Sequence, residues 1–167
     1  MEVPLILTLA MEEKAFQFFN SLRKIYFPLQ ENFIDAHLTI FHFLPNEPVV
    51  INAIENICKE QKQFLLEVTE PAFTDNGVAY QIKCDELIQM HNVLQRQWHS
   101  FLIPQDMQIL SPHVTVQNNV SSEEAKQLHQ FLKDNFCGFK TTGIALQLWE
   151  YGGGKLKLFR QFELLNP

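Results

Sequence analysis

The spacing of apolar residues along this chain switches repeatedly between a period of two and a three-and-four spacing, and each switch predicts a change of element. Residues 3–10 (VPLILTLA) form a nearly continuous apolar run, read as a central strand with Pro4 at its beginning. Over 12–26, Ala15, Phe18, Phe19, Leu22 and Ile25 recur at helical spacing. Acids stand early and Arg23 and Lys24 late, as suits the helix dipole, and Pro28 stops the run. Residues 36–44 return to a strand pattern, Pro45 and Pro48 mark a turn, and 49–61 predict a second helix with Val50, Ile54 and Ile57 on its buried stripe. Residues 64–69 and 78–84 alternate around Asp75-Asn76-Gly77, which predicts a hairpin. A third helix over 85–102, a strand over 110–118, and a fourth helix opened by Ser121-Ser122-Glu123-Glu124 as a capping box follow. That helix runs to about 136, near Gly138. Residues 144–151, the Gly152-Gly153-Gly154 turn and residues 155–164 complete a last hairpin.

This order contains a duplication. Strand, helix, strand, helix and strand occur once over 3–69 and again over 78–151, with no close sequence repeat or low-complexity stretch beside it. The middle strand of each half carries the same tetrapeptide pattern: His37-Leu38-Thr39-Ile40 and His113-Val114-Thr115-Val116, the histidines 76 residues apart. In an extended strand His and Thr two apart share one face and the apolar pair takes the other. One His-x-Thr triplet carries little weight, since a satisfied surface or core pair explains it. Its recurrence at equivalent points of a duplicated order predicts two α+β lobes that bring the motif strands together across a cleft.

Composition narrows the class. At 167 residues, 46% of them hydrophobic and 15 of them Phe, the chain suits a single domain over 1–167 made of two associated lobes sharing a core. No apolar run approaches the roughly 20 residues needed to cross a bilayer, and the first residues show no basic stretch leading into an apolar one. A cytoplasmic monomer with no membrane partner is the expectation. Cys58, Cys84 and Cys137 are odd in number and lack C-x-x-C spacing, so they read as small buried hydrophobes. A net charge of −6 disfavours a long phosphate-tracking groove and leaves room for a small or terminal phosphate.

On H-L-T-I at 37–40, H-V-T-V at 113–116, the element order around them and L-W-E-Y-G-G-G at 148–154, the chain resembles the 2H phosphoesterases. These include the 2′-5′ RNA ligase-like and cyclic phosphodiesterase proteins. The strings A-H-L-T-I-F-H-F-L-P (36–45) and S-P-H-V-T-V-Q-N (111–118) resemble a bacterial-type branch. The resemblance implies a bilobal, pseudo-two-fold α+β fold, with two small, mainly antiparallel sheets lining a central cleft and helices outside. It also implies hydrolysis of a 2′,3′-cyclic phosphate or 2′-5′ bond in a nucleotide or RNA end, with 2′-5′ RNA ligation as a related activity and no cofactor.

Two imidazoles and two hydroxyls on opposed strands suit phosphodiester chemistry without a metal. One neutral imidazole accepts a proton from the attacking water or hydroxyl, a protonated one donates to the leaving oxygen, and both forms are accessible near neutrality. His37 is assigned as base and His113 as acid; Thr39 and Thr115 donate to the non-bridging oxygens. Strand parity adds Phe41 and Gln117 to the cleft, together with Trp149, Tyr151 and Lys157 from the last hairpin, as substrate-binding residues. Parity sets His42 opposite His37, a structural place unless a bulge reverses the face. His91, His99 and His129 fall on helices, in solvated or packing roles. Neither motif strand contains an arginine. Two alternatives stand beside the hydrolase: a nucleotide- or RNA-binding module that has lost its chemistry, and a zinc hydrolase using His37, His42 and His113.

Overall fold

The strands form mainly antiparallel pairs, and in a computed structural model they join edge to edge; the structure describes residues 2–30 and 34–167. The elements are β1 (Leu5–Met11), α1 (Glu13–Tyr26), β2 (Leu38–Leu44), α2 (Pro48–Cys58), β3 (Phe64–Phe73), β4 (Val78–Lys83), α3 (Asp85–Gln97), a 3-10 turn (Pro104–Met107), β5 (His113–Gln117), α4 (Ser122–Asp134), β6 (Phe139–Tyr151) and β7 (Leu156–Glu163). The fold is α+β and bilobal, with β2, β1, β6 and β7 in one half and β3, β4 and β5 in the other. The two small sheets expected from the sequence are the halves of one hydrogen-bonded sheet in the order β2-β1-β6-β3-β4-β5, with β7 pairing with β6 off that path.

The long strand β6 makes that join. Its first residues pair with β3 (Val68↔Phe139 to Phe64↔Gly143), and from Met11↔Gly143 onward it pairs with β1. Gly143 sits where the partner changes, and a Cβ there would lie 2.9 Å from the Phe64 ring and 3.2 Å from the Leu9 side chain. Close approach of two strands at the switch therefore excludes a side chain. At the β3–β4 hairpin, Thr74 N–H donates to the Gly77 carbonyl at 3.0 Å. A Cβ on Gly77 would lie 2.0 Å from the Gln117 carbonyl oxygen, so this glycine lets β4 run beside β5.

Side chains on the helix-covered face of the sheet make the core: Leu5, Leu7 and Leu9 of β1, Leu38 and Ile40 of β2, Val114 and Val116 of β5, and Leu146 and Leu148 of β6. Phe18 and Phe19 of α1 meet Tyr80 edge-on, at ring-centroid distances of 5.6 and 5.5 Å, and so seat α1 on the second half-sheet. Ser121 caps α4 by accepting the Glu124 N–H at 3.1 Å. Cys58 and Cys84 are buried, as expected; Cys137 is exposed, because it falls in the loop between α4 and β6 rather than on a packed element. No helix among the described residues is long and apolar enough to cross a membrane.

Candidate active site

The two motif strands are built alike down to their hydrogen bonds. His37 Nδ1 lies 2.8 Å from the Asp35 carbonyl oxygen, and His113 Nδ1 lies 2.7 Å from the Ser111 carbonyl oxygen, each two residues upstream. A carbonyl oxygen only accepts, so Nδ1 carries the proton in both rings and Nε2 is the nitrogen presented for chemistry. Thr39 and Thr115 follow on the same face, half-buried.

Immediately beyond each Thr the strand bulges, in the same way in both halves. On β2, Thr39 pairs with Thr8 but Phe41 with Leu7, so Ile40 is the additional residue; on β5, Thr115 pairs with Ala79 but Gln117 with Val78, so Val116 is the additional residue. A bulge sends two neighbouring side chains to one side and reverses the parity beyond it. This corrects two sequence expectations. Phe41 does not line the cleft: it is 0% exposed and stacks on His91 with ring centroids 4.7 Å apart. Gln117 is 3% exposed, and its Oε1 has no hydrogen-bond partner among the described residues. The bulge also overturns the ground for setting His42 aside. Beyond the bulge Ile40, Phe41 and Leu44 point into the core while His42 and Phe43 point outward. His42 Nδ1 contacts Asp106 Oδ1 at 2.9 Å.

Next to His37 opens a cavity of about 420 Å³, within the size range of small-ligand pockets. Its walls come from β1 (Thr8, Leu9, Ala10 and Met11), α1 (Glu13 and Phe16), residues Ile34, Asp35, Ala36 and His37, and the β6–β7 ribbon (Ile144, Gln147, Trp149, Leu156 and Gln161). Across the first half-sheet the register lines up Thr39, Thr8, Gln147 and Gln161 as one polar row, because Thr8 pairs with both Thr39 and Gln147, and Gln147 with Gln161. Trp149 Nε1 donates to Thr8 Oγ1 at 2.8 Å, and Gln147 Nε2 donates to Gln161 Oε1 at 2.8 Å, so the row is hydrogen-bonded within itself.

The structure thus places Trp149 on the cavity wall. Tyr151 is exposed, outside the cavity lining. Lys157 pairs with Glu150, one residue out of phase with Trp149, so it lies on the opposite face of the ribbon; Leu156, paired with Tyr151, lines the cavity instead. The hairpin register fixes this, and alternation within β7 alone could not.

Arg23 is the principal residue missed. The sequence sets it at the end of α1 as a dipole partner, whereas it is only 5% exposed. Its Nε donates to the Ile34 carbonyl at 2.8 Å and its Nη1 to the Thr115 carbonyl at 3.0 Å. One guanidinium therefore ties the backbone ahead of His37 to the second motif strand. Burial lowers its pKa to about 10 against the opposing pull of the Asp35 carboxylate. His37 is pushed below the ordinary histidine value, chiefly by burial; its hydrogen bond to the Asp35 carbonyl works the other way, and the nearby charges of Arg23, His113 and His42 add to the lowering. Among the described residues no three His, Cys, Asp or Glu side chains form a metal-binding group.

Comparison with known proteins bears on the family and the fold. A family model described as the 2′-5′ RNA ligase superfamily matches residues 11–155. The structure is similar to TT0787 of Thermus thermophilus, with a TM-score of 0.68 and 11% identity over 98% of both chains. It is also similar to E. coli LigT crystallised with 3′-AMP, with a TM-score of 0.62 and 16% identity over 98% of this chain and 99% of that one. A protein described as a phosphoesterase gives a TM-score of 0.59 at 14% identity, over 99% of this chain and 100% of that one. At these identities the likeness concerns the fold. No curated protein matches the sequence.

Proposed function

The chain belongs to the 2′-5′ RNA ligase superfamily, and from that premise we propose that it is a phosphodiesterase. Its substrates would be 2′,3′-cyclic phosphates or 2′-5′ bonds of nucleotides and RNA ends, opened by paired-histidine acid–base catalysis, with 2′-5′ RNA ligation as a related reaction. The observation that carries this reading is the matched pair of Nδ1-to-carbonyl hydrogen bonds, which leaves one Nε2 on each motif strand available for proton transfer. His37, held below the usual histidine range by burial first and by its cationic neighbours after that, suits the neutral base. In hydrolysis its Nε2 takes a proton from water as the water oxygen bonds to phosphorus. The bond from phosphorus to the ribose 2′ or 3′ oxygen breaks, and His113 gives that oxygen the proton from its own Nε2. Thr39 and Thr115 donate to the non-bridging oxygens as charge builds there.

The cavity beside His37 is the place for the nucleoside. Trp149 and Phe16 offer aromatic faces, and the Gln147 and Gln161 amides offer polar edges. Complexes of E. coli LigT with 3′-AMP, ATP and NADP+ support a nucleotide as ligand. A cytoplasmic setting and a monomeric state remain part of the proposal.

The test is a panel of 2′,3′-cyclic nucleotides and 2′-5′ oligonucleotides, assayed in chelator with the wild type beside the His37→Ala/His113→Ala double variant. Turnover by the wild type alone is expected. Equal turnover by both proteins overturns the mechanism, and tight binding without turnover favours the nucleotide-binding alternative.

A further inference from the structure

We propose that His42, anchored by Asp106, is the binding residue for a second phosphate of the substrate, one nucleoside away from the phosphate held between the two motif strands. The proposal rests on the nucleotide reading of that site and extends it to substrates with more than one phosphate.

The position is built. Asp106 is buried, its side chain 1% exposed, and its carboxylate accepts four contacts from one short stretch of β2: the His42 N–H at 2.9 and 3.0 Å, the Phe43 N–H at 2.9 Å and His42 Nδ1 at 2.9 Å. Gln95 Nε2 in turn donates to the Asp106 carbonyl at 3.0 Å, which fixes the turn that carries it. The imidazole is therefore held at Nδ1 by an acceptor, as His37 and His113 are, and presents Nε2 outward; its side chain is 41% exposed. The acceptor differs in kind, however. A carboxylate balances the charge of an imidazolium, and an imidazolium is what donates to an anion from Nε2 while donating to Asp106 from Nδ1.

Position and surroundings select a phosphate of the same substrate. The bulge turns His42 to the outside three residues beyond Thr39, at most about 10 Å along the strand. The opposite end of β2 meets the cavity, whose charged walls are Glu13 and Asp35, both carboxylates that repel a further anion. The equivalent place beyond the bulge on β5 is Asn118, a neutral amide. Among these places, only the His42 end of the pseudo-symmetric cleft offers an imidazole held at Nδ1 by a carboxylate and exposed to solvent. An extended substrate thus sets its nucleoside in the cavity and its additional phosphate toward His42.

Equilibrium binding of a nucleoside 3′-monophosphate and the matching 3′,5′-bisphosphate tests this, with wild type, His42→Gln and Asp106→Asn. The wild type should prefer the bisphosphate by about tenfold, the worth of one charge-assisted hydrogen bond. His42→Gln, which leaves the backbone contacts of Asp106 intact, should reduce the preference to within about twofold while leaving monophosphate affinity within about twofold. Asp106→Asn should fall between them. A wild type without preference, a His42→Gln variant that keeps it, or equal weakening of both ligands overturns the proposal. Binding needs no turnover, so inactivity on the cyclic-phosphate panel would count against the hydrolase reading alone.

Discussion

The two motif strands share a backbone and differ in their surroundings. The stretches from His37 into β2 and along β5 each run His, core residue, Thr, bulge, with the first imidazole tied to a carbonyl two residues back. Around that frame, His37 is recessed beside a cavity and near Arg23, whereas His113 is exposed. Beyond the bulges stand His42 with a buried carboxylate on one side and Asn118 on the other. In the proposed mechanism, pseudo-symmetry would position two equivalent groups around one phosphate, and departure from it would divide the roles of base and acid between them.

Single substitutions of the two histidines should separate those roles most sharply. His37→Ala and His113→Ala should each lower kcat by about 10²–10⁴. Their pH profiles should differ: with His37 as base, its loss removes the acidic limb of kcat/KM, which in the wild type lies below the ordinary histidine pKa because burial lowers that of His37. Loss of His113 should remove the basic limb. Exchange of the two limbs between the variants would reverse the assignment. Arg23 comes next, since it joins the halves. Arg23→Met removes donors to the Ile34 and Thr115 carbonyls and should destabilise the fold by roughly 2–4 kcal/mol in urea unfolding. It should also raise the NMR-measured pKa of His37, because a neighbouring positive charge is gone. A stable variant with an unmoved His37 would show that the two strands are aligned without it.

These asymmetries were largely hidden in the sequence, while the symmetry was legible. Periodicity located the helices and strands, and strand parity was sound as far as Thr39 and Thr115. It failed one residue later, because a bulge is set by pairing with the neighbouring strand and Ile40-Phe41 and Val116-Gln117 carry no local mark of it. Lys157 was misplaced for a related reason, as its face depends on the pairing of β7 with β6. Residues 139–142 lie between Gly138 and Gly143 and do not alternate cleanly, so the part of β6 that stitches the lobes together carries no strand signal in the sequence. Arg23 and Thr8 are ordinary residues of an amphipathic helix and an apolar strand; only tertiary contact with Thr115 and Trp149 gives them their place.

The smallest expected effect distinguishes what lies beneath the two bulges. Under β2, Phe41 stacks on His91, whose Nδ1 is buried with no hydrogen-bond partner among the described residues; under β5, Gln117 fills the equivalent place. Burial lowers the His91 pKa from the ordinary 6.5, opposed by the charge of Asp106 and by Asn92. The folded form therefore resists protonation while the unfolded chain takes up a proton as pH falls through about 6.5, so stability is lost on the acid side and not on the basic side. In urea unfolding at pH 7.5 and 5.5, His91→Leu should lose less stability on acidification than the wild type. The difference is bounded at about 1.4 kcal/mol per pH unit for one proton. Because His37 and its own acid sensitivity are present in both proteins, the difference isolates the ring beneath β2. Identical acid slopes would mean that His91 protonates within the fold, and that the packing under β2 tolerates a charge despite its aromatic stack.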